Sequence, residues 1–259
     1  MLVNITFPVY NEEAQVASSV RSLKRFLLEH CRFDVEIVIA NNASTDGTLA
    51  IALEIERTDH AVRVVDLPLK GRGRALKQVW TQSKADILSY MDVDLSTDLS
   101  AFPPMIESLR SGEADLGTGS RLMKASQTTR SLKRQIISRS YNILIRAFFR
   151  TRFSDAQCGF KAITRRAADA LLPWIEDTGW FFDTELMVSA EKLGYRIFDL
   201  PVTWVEDVDS RVRIISTAVA DVRGLIRMKI NVYRNHYPYP GGPSVRLSHV
   251  HPVSATEEG

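Results

Sequence analysis

The chain has 259 residues, 45% of them hydrophobic and 25% charged, with a net charge of +2, which supports a sizeable core in one globular domain, alone or with an appendage, and shows no repeat or low-complexity array. Two cysteines, Cys31 and Cys158, are too few for a disulfide scaffold and fit a reducing compartment. Met1 leads straight into the first strand without a signal-peptide pattern, and no apolar run approaches the roughly 18 residues of a membrane span, so the expected location is the cytoplasm, peripheral on the cytoplasmic face of a membrane.

In chain order, residues 2–9 read as a strand stopped by Pro8, and PVYNEE then opens a helix through Val16, Val20, Leu23, Leu27 and Leu28, with Asn11 as a candidate N-cap. Residues 35–40 form an apolar run suited to a strand covered on both faces. The turn NNASTDGT follows, Asp46 or Thr45 capping a helix over 48–57. Residues 62–67 make a third strand, GRGRALKQVW begins a third helix, and residues 87–91 make a fourth strand. Strand alternating with helix predicts an α/β fold with a mostly parallel sheet and helices on both faces. Ligands of such sheets sit beyond the carboxyl ends of the strands, so the loops PVYNE, NNASTDG, LKGRGRA and DVDLST should converge on one crevice.

At the end of the fourth strand stand Asp92 and Asp94. Alternate side chains of an extended chain point the same way, so this pair can aim two carboxylates at one hard cation, Mg²⁺ or Mn²⁺, with diphosphate and water completing its shell. The other reading makes them solvated turn residues, with Asp98 or Ser100 capping the next helix. GRGRAL follows a strand and opens a helix but lacks the third glycine of a dinucleotide fingerprint. It suits a phosphate-facing loop, the glycines admitting close approach and Arg72 supplying charge.

Farther on, a helix runs to about residue 111, and a strand over 115–118 ends in GSR. Nine basic residues between Arg121 and Ser154, Arg130 among them, meet no Asp or Glu, which points to an anionic partner. Within this block Leu132, Ile136, Ile137, Tyr141, Leu144, Ile145, Phe148 and Phe149 recur at helical spacing, giving a basic amphipathic helix. DAQCGFKAI enters a strand, residues 165–172 form a short helix, WFFDTELMVSAEKLG leads into a helix stopped at Gly194, and residues 196–205 read as a last strand. A final helix from about residue 216 carries Val219, Val222, Ile226, Ile230 and Tyr233 on one face. From His236 onward prolines and glycines end regular structure. The expected organisation is a domain over 1–215, an amphipathic helix over 216–235 and a mobile tail over 236–259.

PVYNEE, STDGT, GRGRAL and DVDLS, in this order, resemble the family 2 glycosyltransferases of the nucleotide-diphospho-sugar fold called GT-A. GSR, DAQCGFK and WFFDTEL resemble the subgroup that transfers glucose or mannose from a nucleotide sugar to dolichyl or another polyprenyl phosphate, and the likeness spans about residues 3–215. The resemblance implies that Pro8, Val9, Tyr10 and Glu12 hold base and ribose, although Glu12 also suits first-turn helix electrostatics. Asn41 and Asn42 replace the two acids of the usual DDGSTDG turn, so Asn42 meets the base with a donor as well as an acceptor. Asp92 and Asp94 match the metal pair, with Ser96 where some relatives carry Gln. Gln157 and Lys161 match positions lining the site, and Asp155 reads as a loop-stabilising acid. Asp183, ahead of Glu185, is expected to orient sugar hydroxyls or act as a base, helix capping being the alternative for both. Cys158 reads as a packed side chain rather than a nucleophile, the five histidines show no metal-ligand spacing, and Trp174, Trp180 and Trp204 suit either core or sugar stacking.

The acceptor decides the rest of the chemistry. A sugar hydroxyl needs a carboxylate base within reach, whereas a phosphate monoester, with a second pKa near about 6, is already anionic and needs cations. Arg121, Arg134 in the basic helix, Arg211 and Arg213 are the candidates for that phosphate, and the helix itself for an anionic membrane surface. The expected activity is an inverting, metal-assisted hexose transfer to polyprenyl phosphate, with no nucleic-acid partner. The alternatives are a soluble transferase acting on a sugar hydroxyl and a non-catalytic nucleotide-sugar or anionic-lipid binding module.

Overall fold

The computed structural model describes residues 1–129, 131–205 and 214–233. Arg130, Arg211, Arg213 and the segment from His236 lie outside these residues. The first half follows the predicted alternation: β1 (Leu2–Val9), α1 (Val16–His30), β2 (Asp34–Asn42), α2 (Thr48–Thr58), β3 (Val62–Leu67), α3 (Arg72–Gln82) and β4 (Ile87–Met91). After α4 (Phe102–Arg110) come β5 (Leu116–Ser120), β6 (Gln127–Thr129), α5 (Leu132–Phe149), β7 (Phe160–Thr164), α6 (Arg165–Leu171), α7 (Phe182–Lys192), β8 (Ile197–Pro201), β9 (Thr203–Val205) and α8 (Ile214–Tyr233).

Seven strands form one sheet in the order β3-β2-β1-β4-β7-β5-β8. The pairs β1 with β2, β1 with β4, β2 with β3 and β5 with β8 are parallel, and β7 runs antiparallel to both its neighbours. All five residues of β4 are buried, as expected of a strand covered on both faces. Alternate side chains enter two separate cores: Ile87 and Met91 pack on one face of the sheet with Phe7 and Phe102, Leu88 and Tyr90 on the other with Trp80 and Phe182. Because β7 runs backwards, its first residue Phe160 pairs with Met91 at the tip of β4. The DAQCG segment is thereby delivered to the end of the sheet where Asp92 stands.

Two expectations are corrected, and a third element gains its orientation. The last strand divides at Val202: β8 pairs with β5 as far as Pro201, and β9 leaves to pair with β6 in a small second sheet. Asn11 does not cap α1, which starts at Val16 behind Gln15 with no side-chain cap. It lies in the left-handed region at φ 57, and its carboxamide oxygen accepts from Thr45 N at 2.7 Å, so it joins the β1 and β2 loops. On α8 the stripe Val219, Val222, Ile226 and Ile230 is exposed, and Asp221, Leu225 and Met228 face the protein. Gly224 sets this rotation, since a Cβ there would meet the Phe181 ring at about the distance of a covalent neighbour's shell, 2.6 Å from Cδ1.

Candidate active site

The four loops converge as the sheet topology requires. Asn11 N donates to Ser44 Oγ at 3.0 Å, Gly71 N to Asn42 Oδ1 at 2.7 Å, and Lys70 Nζ lies 3.2 Å from the centre of the Tyr10 ring. Thr48 Oγ1 accepts from Glu12 N at 2.7 Å, and Asn41 Nδ2 donates to Asp66 Oδ1 at 2.7 Å. Pro8 and Val9 end β1 beside Ala40 and Asn41 of β2. Asn11, Ala43 and Leu95 are non-glycine residues at positive φ (57, 58 and 52), and each follows a strand whose end faces the crevice. Left-handed backbone costs roughly 1–2 kcal/mol per residue, and such strain gathers where structure serves a site.

At the centre, Arg72 Nη2 lies 2.8 Å from Asp92 Oδ1 and Arg72 Nε 3.8 Å from Asp183 Oδ2. The guanidinium carbon sits 5.0 Å from the Tyr90 ring centre and 4.8 Å from that of Trp180. Burial opposes its charge, but Asp92, Tyr90 and Asp183 outweigh that and hold its pKa above the ordinary arginine value. Behind it, Asp183 Oδ1 accepts from the Tyr90 hydroxyl and lies 3.3 Å from Lys161 Nζ. Lys161 also donates to Cys158 O at 2.5 Å and to Tyr90 Oη at 3.3 Å. Desolvation, then the Asp183 charge, pushes the Tyr90 phenol well above its usual range, so it remains a donor. Burial raises the Cys158 thiol to about 11, which leaves it protonated and a packing group.

Asp94 Oδ1 accepts from Ser96 N at 2.9 Å, so the acid also orders the turn after β4. Asp92 N donates to Gly159 O at 3.0 Å, and a Cβ at residue 159 would overlap the Asp92 carboxylate. Glycine is what leaves that carboxylate its place. The donor set fits a small hard cation: the carboxylates are oxygen ligands, and Arg72 already sits on Asp92 as a stand-in cation. Among the described residues no group of three His, Cys, Asp or Glu can hold a metal. Were such an ion bound on Asp92 and Asp94, oxygens of diphosphate and water would complete its shell, the usual arrangement for Mg²⁺.

The structure reassigns several of the expected site residues. The amides of the GRGRAL turn do not face the crevice: Gly73 N donates to Gly179 O and Arg74 N to Thr178 O, both at 3.1 Å, and a Cβ at Gly73 would lie 2.8 Å from Asp177 O. The glycines admit this strap, and Arg72 carries its charge to Asp92 and Asp183 while the preceding Lys70 lies over the Tyr10 ring. Lys161 lies beneath Asp183, 2% exposed, where it neutralises a carboxylate rather than meeting a nucleotide. Glu185 is fully buried and away from the crevice: its Oε2 accepts from Glu176 N, Asp177 N and, at 3.1 Å, Arg227 Nη2, so it ties the strap to α8. Arg121 is bound to Asp155, Nε to Oδ2 at 2.7 Å and Nη2 to Oδ1 at 3.0 Å. Burial works against both charges, and their mutual attraction prevails, raising Arg121 and lowering Asp155. Two of its three guanidinium nitrogens are thus engaged. Arg134 lies in the first turn of α5, partly exposed. Gln157 Nε2 donates to Asp221 Oδ2 at 2.7 Å.

Tyr90 and Asp221 belong to this constellation although residue patterning hides them. Tyr90 occupies a core position of an apolar strand, and its one signal is a phenol that must find a buried partner. Asp221 is a lone acid on the inner face of α8, 3% exposed, with Oδ1 buried and without a hydrogen-bond partner. Burial raises its pKa to about 7 against the help of Gln157, with Asp177 and Asp183 adding to the rise.

The chain is similar to glycosyltransferase AglD of Haloferax volcanii, 37% identical over 225 residues covering 86% of this chain. It spans 35% of the length of AglD. It is 28% identical over 236 residues to dolichyl-phosphate beta-glucosyltransferase ALG5C of Trichomonas vaginalis, covering 87% of this chain and 68% of that protein. Glucosyl-3-phosphoglycerate synthase of Mycobacterium tuberculosis, in a crystal structure with Mn²⁺ and UDP-glucose, superposes with a TM-score of 0.62 at 17% identity, covering 86% of this chain and 78% of that one. That likeness is one of fold and identifies the sheet as GT-A. The description "Glycosyl transferase family 2" matches residues 5–172, from the first strand to the end of α6, and with the converging loops inside that span the chain belongs to glycosyltransferase family 2.

Proposed function

We propose that the chain transfers a hexose, glucose or mannose, from a nucleoside-diphosphate sugar to a polyprenyl-type phosphate with inversion, assisted by Mg²⁺ or Mn²⁺ held on Asp92 and Asp94. The observation that carries the acceptor assignment is the state of Asp183. Its carboxylate is 5% exposed and engaged by Tyr90 and Lys161, with Arg72 nearby. A hydroxyl acceptor needs a base free to take its proton. A phosphate monoester does not, because its attacking oxygen is already charged.

Bound on the pair, a divalent ion supplies electrophilic stabilisation of the charge on the departing diphosphate. The chain's own groups do the rest. Pro8, Val9, Tyr10, Glu12 and Asn42 frame the nucleotide, Arg72 meets the diphosphate, and Asp183, fixed from below, orients the sugar. Gln157, held by Asp221, faces the same end of the sheet. Arg121, with the guanidinium nitrogen that Asp155 leaves free, and Arg134 receive the acceptor phosphate, joined by Arg211 and Arg213.

Residues 1–215 form the transferase unit, and the surface made by α5 and α8 meets the membrane that carries the lipid. Support comes from the exposed Leu132, Ile136 and Ile143 on α5 and Val219, Val222, Ile226 and Ile230 on α8, set among Lys133, Arg139 and Arg223. Apolar side chains flanked by cations suit an anionic lipid surface. Among the described residues no helix is long and apolar enough to cross a membrane; in this reading the contact is peripheral, at the cytoplasmic face. The similarity to a dolichyl-phosphate beta-glucosyltransferase supports a lipid-phosphate acceptor.

The test is incubation with labelled UDP-glucose or GDP-mannose, Mn²⁺ and polyprenyl phosphate, followed by lipid extraction. Label in the lipid phase, lost in Asp94→Ala, is the expected result. Turnover only with water-soluble sugars would favour the hydroxyl-acceptor reading, and nucleotide-sugar binding without any turnover would favour a binding module.

A further inference from the structure

Arg72 occupies the place that the cation of the proposed reaction requires. Its Nη2 is 2.8 Å from Asp92 Oδ1 and its side chain is 10% exposed, held between the Tyr90 and Trp180 rings. The backbone around it is fixed, with Gly71 N on Asn42, Gly73 N on Gly179 and Arg74 N on Thr178. Any change of station is therefore made by the side chain alone. Its present station is incomplete: Nε is buried and has no hydrogen-bond partner, although a guanidinium carries five donors suited to paired oxygens. Trp180, which covers it on one side, is itself 45% exposed, so the outer wall is thin.

We infer that Arg72 is the resident counter-ion of Asp92 before the donor binds, exchanged on that carboxylate for the divalent cation and taken up by the diphosphate of the donor. The inference rests on the metal assignment to Asp92 and Asp94 proposed above. Two cations repel at one carboxylate, so metal binding alone must drive the guanidinium off Asp92 with no anion to receive it. When a nucleoside diphosphate is present the displaced fork gains a partner. Metal and nucleotide then bind as a coupled pair, each tightening the other by the same factor, as linkage requires.

The experiment titrates Mn²⁺ into the full chain, reading free Mn²⁺ by its electron paramagnetic resonance signal, with and without UDP. In the wild type UDP should tighten Mn²⁺ by about 10-fold or more, within the usual span of coupling between sites. Arg72→Gln should tighten Mn²⁺ in the absence of UDP by about 5-fold or more and shrink the gain from UDP. Arg72→Lys, which keeps the charge, should leave nucleotide-free Mn²⁺ binding as weak as in the wild type, and it serves as the test if Arg72→Gln fails to fold. Nucleotide-free affinity unchanged or weaker in Arg72→Gln, or tightened in Arg72→Lys, overturns the exchange while the metal site stands. Asp92→Asn separates the two ideas: retention of Mn²⁺ by that variant overturns the metal assignment, and the exchange with it.

Discussion

Replacing Lys161 by methionine is the sharpest probe of the buried charges under the crevice. The side chain is 2% exposed, lies 3.3 Å from Asp183 Oδ1, and donates to Tyr90 Oη and Cys158 O. At that separation the pair attracts by about 5 kcal/mol for an effective dielectric of about 20. Methionine keeps the apolar stem but leaves Asp183 with Tyr90 and a guanidinium 3.8 Å away, and breaking a buried pair from one side costs about 3–5 kcal/mol. In a chain of this size that lowers the melting temperature by roughly 10 °C. Asp183→Asn should cost a similar amount, because it strands the ammonium. The double variant Lys161→Met/Asp183→Asn strands neither and should be more stable than the sum of the singles predicts by about 2–3 kcal/mol. Urea denaturation of the four proteins measures the cycle. Single costs below about 1 kcal/mol, or additivity within about 0.5 kcal/mol, would refute the view that Lys161 exists to hold Asp183.

Asp221 makes stability depend on pH. Its folded pKa of about 7 lies above the unfolded value near 3.9, so between these values the native state binds the extra proton and stability falls as pH rises. Asp221→Asn should therefore gain stability relative to the wild type between pH 5 and pH 8, by about 2.5 kcal/mol; equal differences at both pH values in thermal melts would count against it. Gly159→Ala should displace the Asp92 carboxylate that occupies the space of its Cβ and weaken Mn²⁺ binding in calorimetry by at least about tenfold, about 1.4 kcal/mol. Arg121→Met should strand Asp155, which is fully buried, and cost about 3–5 kcal/mol, with Arg121→Met/Asp155→Asn recovering part of it in the same denaturation assay. Ala43→Gly should relieve a left-handed alanine at φ 58 and raise stability by up to about 1 kcal/mol; a drop in melting temperature would show that the turn is held by contacts instead.

What residue patterning determined is what depends on near neighbours. Alternation of apolar residues set β1 to β4 and their helices, turn chemistry placed NNASTDG and DVDLST between them, and parallel connection then sent four loops to one end of the sheet. Asp92 and Asp94 were legible because they stand two residues apart just past the end of β4, although the chain there is a turn, with Leu95 N donating to Asp92 O at 3.1 Å, and not the extended strand that the spacing suggested. Tertiary structure decided which charges meet. Arg72 lies against Asp92 and Asp183, Lys161 against Asp183, Arg121 against Asp155 and Gln157 against Asp221, across separations that no period in the chain records. The same holds for faces: α8 shows its most apolar stripe outward because Gly224 and Asp221 fit the surface of Phe181 and Gln157, and β7 runs backwards because the chain enters it at the tip of β4. Hydrophobic periodicity is a property of one segment, whereas a charge's partner and a helix's buried face are properties of the segments packed against it.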